Sequence, residues 1–571
     1  NDNTAMGNGA LGSNTTGAAN TAIGRNTLVS NTTGTLNTGL GFQSGFSNTT
    51  GSVLALGYQC LYSNTTGVGN TAVGRYGALH LNTTGDYNTA VGDEALFNVT
   101  TASRLTAVGH QAGYNATTAT ALVLIGREAG KAITTGSENT AVGYDAMQKT
   151  TTGANNAVLG MRSLFSNTTG SNNTAVGYQA GYSNTTGQYN HYQGKQAGYT
   201  NSTGENNVGM GHSVLYYNIG SDNTAIGNGV LIANTTASNN TGVGSSALNS
   251  TTTGAKNTAV GYKAGYSNTT AGEVTAVGYQ ALLSNTTGVN MTAVGKNALY
   301  TNTTGGSNSA LGLNALTSNT TGSANTGLGV QALNSNTTAS NNTAVGYQAL
   351  YDSTTGDRNT CMGNYAGSQI TTGVSNVCIG YLSGDHSQDL ITGSDNVLVG
   401  SYTRTSDANS VGVNVFGYDV EGADGYTTIG KGTQDIRAVH GTATWSTVSD
   451  ERYKKDITDS TVGLSFINAL RPRTFNYKNE GELPDTFSAY KEGSTEVFKS
   501  DKTQHGFIAQ EVKAAIDANS SIKDGFKLWD DRPDGSQEVA ETALIPVLVK
   551  ALQELSAKND ALEARIVTLE S

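Results

Sequence analysis

A four-residue element, Thr-Ala-Val-Gly in its commonest form, returns along the chain with a period of seventeen. Its glycine stands at Gly7, Gly24, Gly41 and Gly57, continues through Gly143, Gly160 and Gly177, and reaches Gly363 and Gly380 with only single-position slips. A last copy, displaced by twenty, ends at Gly400. A period this short excludes helical-hairpin repeats and fits one coil of a β-solenoid. Each coil reads as a strand (Asn139 to Val142), a glycine turn, a second short segment (Tyr144 to Met147) and a polar Thr-Thr-Gly return. Side chains alternate along a strand, so the Val before the anchor glycine shares a face with the Thr two positions earlier. The Ala or Gly between them points the other way. This pattern predicts buried anchor Val residues and a small-residue column pressed against another surface. One Val, one Thr methyl and one Ala-Leu pair make a thin stripe, so the sequence predicts several chains wrapped together. At ~4.8 Å per rung, the rod is on the order of 110 Å long.

Composition narrows the functional classes. Of 571 residues, 74 are Gly and four are Pro, too regular for a flexible linker and too Pro-poor for collagen. A net charge of −11 argues against nucleic acid as a partner. No apolar run is long enough for a membrane span, so no membrane insertion is expected of this fragment. Three Cys provide neither a disulfide scaffold nor a metal spacing, and no metal or cofactor is expected. The start at Asn1, with no Met or signal peptide, reads as a fragment or processed form. Charge divides the chain in two: residues 1–400 hold 12 Lys/Arg and 15 Asp/Glu, whereas the remaining 171 hold 19 and 27. All four prolines lie in the second part.

The repeat pattern over residues 1–400 resembles the head repeats of trimeric autotransporter adhesins, which form a trimeric β-roll, and the repeat shafts of phage tail fibres. Several columns of the shaft invite a functional reading. The position after the anchor glycine varies between Tyr and charged residues, which suggests exposure. Tyr178, Tyr262, Tyr279 and Tyr347 in this column are candidate glycan contacts, the alternative being a ladder that only stabilises the stack. One column further on, Glu128 and Asp145 would stand about 5 Å apart, the spacing of a retaining glycosidase pair, within a column otherwise rich in Gln. The Asn-Thr-Thr tripeptides match glycosylation sequons, but a turn repeated on each rung explains them without modification. The Thr density also admits an ice-binding face. The rung His191-Tyr192-Gln193 breaks the pattern, and Cys361 and Cys378 are expected to stack as buried free thiols.

Residues 401–448 read as a β-rich neck, with short strands at Val411 to Val415, Tyr426 to Ile429 and Thr442 to Trp445. A different grammar follows. Ser449-Asp450-Glu451-Arg452-Tyr453-Lys454-Lys455-Asp456-Ile457 places a hydroxyl and an amine five positions apart. Leu470-Arg471-Pro472-Arg473-Thr474-Phe475 and His505-Gly506-Phe507-Ile508-Ala509-Gln510-Glu511-Val512 come next. This succession resembles the endosialidase-type intramolecular chaperone found at the C-terminus of phage tail spikes and fibres. The resemblance implies a domain over residues 449–571 that trimerises, assists folding of the β-rich segment before it, and cuts itself off. It further implies Ser449 as nucleophile and Lys454 as base, with cleavage at the Val448–Ser449 bond; His505 and Gln510 read as packing and hydrogen-bonding groups. A Ser needs a neighbouring base, and a Lys serves only when burial or nearby cations destabilise its ammonium. Lys455 and Arg452 are such cations.

From about residue 541 to 571 the pattern is heptad: Ile545, Leu552, Asn559 and Ile566 at a, and Leu548, Leu555, Leu562 and Leu569 at d. Asn559 would fix register at some cost in stability. The fold expected is therefore mainly β, a trimeric β-solenoid or β-roll shaft followed by an α+β chaperone domain ending in a coiled-coil helix. The function expected is a homotrimeric tail fibre, virion-borne and extracellular, that contacts a host cell-surface glycan or receptor. A bacterial trimeric adhesin or extracellular fibre is the alternative from another class.

Overall fold

The computed structural model describes residues 2–386, 390–442, 445–447, 449–519, 522 and 526–571. Two compact units make up the chain, Asn1–Val448 and Ser449–Ser571.

The first unit is a β-solenoid with one parallel strand per coil. The strands are mostly three residues long, for example Thr140–Val142, Ala157–Leu159 and Thr174–Val176. They pair in register one period apart, Val158 with Ala141 and Ala175. The second segment of each coil is turn rather than strand. It is closed by residues in the left-handed region, such as Asp145 (φ 55°) and Met147 (φ 53°). Backbone bonds between coils continue through these turns, from the Met147 N–H to the Ser163 carbonyl (3.0 Å) and from the Thr151 N–H to the Thr168 carbonyl (2.9 Å). Coil-to-coil hydrogen bonding therefore replaces most of what a globular core would supply. The anchor glycine is dictated twice over. Gly143 sits at φ 144°, and a Cβ there would collide with the Gly160 carbonyl oxygen on the next rung.

The interior reverses the face expected from sequence. Ala141, Ala175 and Ala259, at the middle of their strands, are fully buried, together with Leu residues from the turns such as Leu164 and Leu248. The anchor aliphatics point outward, and Leu159 is 52% exposed. The small-residue column is thus the inside of the coil and not a contact between chains. Ala fits because the coil is narrow and a turn Leu reaches across to meet it. Each chain closes its own core, so the thin-stripe reason for wrapping several chains together falls.

Two columns of buried Asn complete the interior. Asn139, Asn156, Asn173 and Asn190 precede successive strands. The backbone N–H of each donates to the side-chain oxygen of the one before, at 3.0, 2.9 and 3.0 Å. Their side-chain amides donate to turn carbonyls, as Asn173 Nδ2 does to Gly187 (2.9 Å). The second column contains the sequon Asn residues. Asn184 Nδ2 reaches Asn167 Oδ1 at 2.9 Å and the Gly187 carbonyl at 3.0 Å. Both Asn167 and Asn184 are fully buried, so the turn reading of these tripeptides holds.

The irregular rungs also resolve by packing. Tyr192 takes the inward Ala position and is fully buried, while Gln193 lies outside. Cys361 and Cys378 pair across adjacent strands, buried and free. The hydrogen bond its S–H makes with Cys378, with burial, pushes the Cys361 thiol well above its ordinary value.

The parallel sheet runs past Gly400, where the sequence period appeared to end. Asn414–Tyr418 and Tyr426–Lys431 continue it in parallel, and Gln434–Val439 then turns back antiparallel, followed by Ser446–Thr447. The anchor survives at Gly417 (φ 146°), although Asn-Val-Phe replaces Thr-Ala-Val ahead of it. The expected strand at Thr442 to Trp445 falls partly on residues 443–444, outside the described residues.

The second unit is built on three helices, α1 (Leu464–Ala469), α2 (Ala509–Asp517) and α3 (Ile545–Glu570). Val462, Phe466, Leu470, Val512, Ile516, Leu528, Leu544 and Val547 form its core. Helix α3 packs against α1 through one face, with Val547 and Ala551 buried. Glu554 of α3 accepts the Leu464 N–H (2.8 Å), which caps the start of α1. The heptad positions lie on a neighbouring, open face, and Leu552 is 69% exposed. Among the described residues no helix is long and apolar enough to cross a membrane.

Candidate functional site

Ser449 and Lys454 are brought together by one short turn. Asp450 caps a 3-10 helix over Glu451–Tyr453, its carboxylate accepting the Arg452 N–H at 2.8 Å. The Arg452 guanidinium returns to grip the same carboxylate at 2.6–3.2 Å. These bonds hold the Asp450 carboxyl below its ordinary value. The turn reverses the chain so that the Lys454 ammonium donates to Ser449 Oγ across 2.7 Å. A nucleophile and its base must lie within this reach. Arg452 is committed to Asp450. Val448, on the other side of the expected scissile bond, lies outside the described residues.

Both members of the pair are solvent-exposed in the single chain. Water stabilises an ammonium, and only its removal or a neighbouring cation favours the free amine. The arrangement therefore supplies proximity, while water still reaches both groups.

The two downstream motifs meet in space. Arg473–Phe475 and Gln504–Gly506 form an antiparallel pair, Thr474 opposite His505. Arg473 Nε donates to Glu511 at 2.8 Å, its second nitrogen pairs with the same carboxylate, and Arg471 approaches at 3.6 Å. The hydrogen bonds from Arg473 hold the Glu511 carboxyl below its ordinary range. His505 Nδ1 shares a hydrogen bond with Thr474 Oγ1 (3.3 Å). These residues hold the strand pair to α2. Gln510 is exposed on α2.

Residues 449–520 match the Chaperone of endosialidase family (Peptidase_S74). The C-terminal unit therefore carries a chaperone-of-endosialidase domain, and its match begins at Ser449, where the second compact unit begins. No curated protein and no solved structure matches the chain.

The shaft candidates are placed as follows. Tyr178, Tyr262, Tyr279 and Tyr347 are exposed. Tyr262 and Tyr279 stack on each other at 5.4 Å, and Lys263 and Lys296 lie over their rings. Their faces are thereby partly engaged by one another and by the lysines, while Tyr262 and Tyr279 stay 42% and 48% exposed. A second aromatic column, five positions after the anchor (six at His80), escaped the sequence reading. Phe46, Tyr62, His80, Phe97 and Tyr114 stack in one run at 4.8–5.4 Å, and Phe165, Tyr182, Tyr199 and Tyr216 in another at 4.9–5.1 Å. Recurrence of rings at that offset was the signal available.

Glu128 and Asp145 are mostly buried, and both are paired. Arg127 meets Glu128 at 2.8 Å and Lys131 meets it at 3.5 Å, while Arg162 meets Asp145 at 3.4 Å. Burial alone would raise the Glu128 carboxyl, but Lys131 and Arg127 outweigh it and hold it below its ordinary range. A glycosidase acid must instead be raised, so these carboxylates serve ion pairing, Glu128 within its own coil and Asp145 with Arg162 on the next.

Proposed function

We propose that the chain is a homotrimeric phage tail fibre, borne outside the cell on the virion. Its solenoid shaft reaches a host cell-surface glycan or receptor, and its C-terminal domain aligns three chains, assists shaft folding and then releases itself. In support stand a solenoid of some 25 coils joined to a chaperone-of-endosialidase domain and the open apolar heptad face of α3. A repeat with near-identical rungs can pair out of register at little cost, so a unit that aligns the chains first removes those alternatives. Release then makes unfolding hard to reverse. The exposed tyrosines, including Tyr178, Tyr262, Tyr279 and Tyr347, offer aromatic surface for receptor contact.

The observation that carries the processing step is the 2.7 Å approach of Lys454 to Ser449 at the first residue of the domain. In this reading Ser449 Oγ attacks the carbonyl carbon of Val448 as the Lys454 amine takes the hydroxyl proton. The Val448–Ser449 C–N bond breaks, and the proton passes to the departing Ser449 nitrogen. Water hydrolyses the ester left on Oγ, freeing the Val448 carboxylate. Intact-mass measurement tests this. Wild type should give a shaft ending at Val448 and a fragment of residues 449–571, whereas Ser449→Ala should remain at 58.7 kDa. Equal processing in both would overturn the dyad.

A further inference from the structure

The outward strand face of the shaft is free of acidic and basic side chains over its whole length, except for one histidine. In the 24 strands from Thr4–Met6 to Val397–Val399, neither outward position holds a Lys, Arg, Asp or Glu; His191 stands among Thr, aliphatics and Ser309 on one column, and Gln193 is the polar residue of the other. One column is mostly Thr (Thr140, Thr174, Thr258, Thr343) and the other aliphatic (Val142, Leu159, Val260, Leu311). The aliphatic column is open to solvent, with Leu159 at 52% and Leu311 at 49% exposure. Charge is not excluded from the solenoid surface in general. One position past this column and its anchor glycine stand Arg25, Arg75, Asp93, Arg127, Lys195 and Lys296.

We infer that this Thr/aliphatic face is where parallel copies of the chain pack together, the aliphatic column of one against the Thr column of the next. This inference rests on the homotrimer reading and names its contact surface. Depletion of charge is the compositional mark of an interface core, and exposed apolar patches of this extent mark interaction sites. Twenty-four strands at ~4.8 Å, with a face roughly 10 Å wide, give on the order of 1,100 Å² per chain. In a trimer each chain divides this area between two neighbours, roughly 550 Å² to each, below the about 800 Å² per partner of a standard two-chain interface but made twice by every chain. The side chains stand at one level per rung, so parallel chains meet rung against rung. That is the alignment an apolar seam on a C-terminal helix would impose.

The test uses the full-length chain carrying Ser449→Ala, so that processing cannot alter its mass. Val243→Cys is compared with Asn228→Cys, which lies after the anchor and off the face. Each is treated with a short bismaleimide; the three native cysteines are buried and out of reach. The expected result is a native mass three times the 58.7 kDa of one chain, and at least tenfold more cross-linked chain for Val243→Cys than for Asn228→Cys. Lysines at Val243, Val260 and Val277 together should abolish the cross-link of a probe on the neighbouring rung, Ile226→Cys, while the chain keeps its β-sheet circular dichroism. A trimer that cross-links equally or only through Asn228→Cys overturns the face but leaves the trimer reading intact. A single-chain mass overturns both, and thermal hysteresis in such a monomer would assign the face to ice.

Discussion

The ring of Tyr192 fills the space that a Cβ on Gly198 would need: that carbon would fall against Cε1, Cζ and Cε2 at the hydroxyl end of the ring, well inside van der Waals contact. Gly209 on the next rung is also close, its Cβ position lying 3.1 Å from Cδ1. A large side chain enters a column of alanines because its neighbours have none. Gly198→Ala should therefore cost about 3 kcal/mol, from overpacking together with a positive φ of 63°. Tyr192→Ala should relieve the overpacking part, giving a coupling of at least ~1 kcal/mol in a double-mutant cycle. Hydrogen exchange of residues 175–214 measures it locally, since a repeat array need not unfold in one step. Additive losses would show that the two residues do not share the space.

Burial also pushes the Tyr192 phenol above its ordinary value near 10. The unfolded chain then gives up this proton first as pH rises. The neutral phenol's contribution is fully present below pH ~10 and is lost progressively above it. Protection of this rung should fall in alkali sooner than in Tyr192→Phe, which has no proton to lose. Identical alkaline profiles would remove the phenol as the cause.

The Asn column makes a different demand. Asn173 accepts the Asn190 N–H at 3.0 Å and donates to the Gly187 carbonyl at 2.9 Å. Asn173→Ala leaves the buried Asn190 N–H without a partner and the Gly187 carbonyl with Asn184 alone, and should cost about 1–3 kcal/mol. Asn173→Asp retains the acceptor, loses the donor and buries a charge, so it should be no better. Urea-dependent exchange at Asn190 reads the loss, and an unchanged Asn190 amide would mean that another group takes over.

These residues also show what the sequence could convey. Periodicity and the anchor glycine were legible because both are backbone requirements repeated on every rung. Strand alternation was legible too, but not which face turns inward. Ranking Val above Ala for burial fails where the interior is one Ala and one Leu wide. The Asn ladders were unreadable one coil at a time, because each partner lies a full period away and exists only after stacking. In the C-terminal unit, the pairing of Thr474 with His505 brings together two motifs noticed separately. Ser449 and Lys454 were named from the resemblance their motif carries, and the turn held by Asp450 and Arg452 brings them within hydrogen-bond reach.

Exposure of Lys454 leads to the last prediction. A lone chain places the amine beside the hydroxyl without removing water from either, so processing should depend on surfaces supplied by neighbouring chains. The open face of α3 is the means of gathering them, with Leu555 and Leu562 exposed at heptad positions. Replacing both by Ser should leave the α3 face packed on α1 through Val547 and Ala551 intact, while weakening association. Processing should then slow at least tenfold and become concentration-dependent, approaching the wild-type rate as chain concentration rises. Lys454→Ala should stay unprocessed at every concentration, because its defect is chemical. Lys454→Arg should also fail, since a guanidinium holds its proton at any pH the fold survives. Processing of the Leu555→Ser/Leu562→Ser chain at the wild-type rate and independent of dilution would show that one chain completes the site alone.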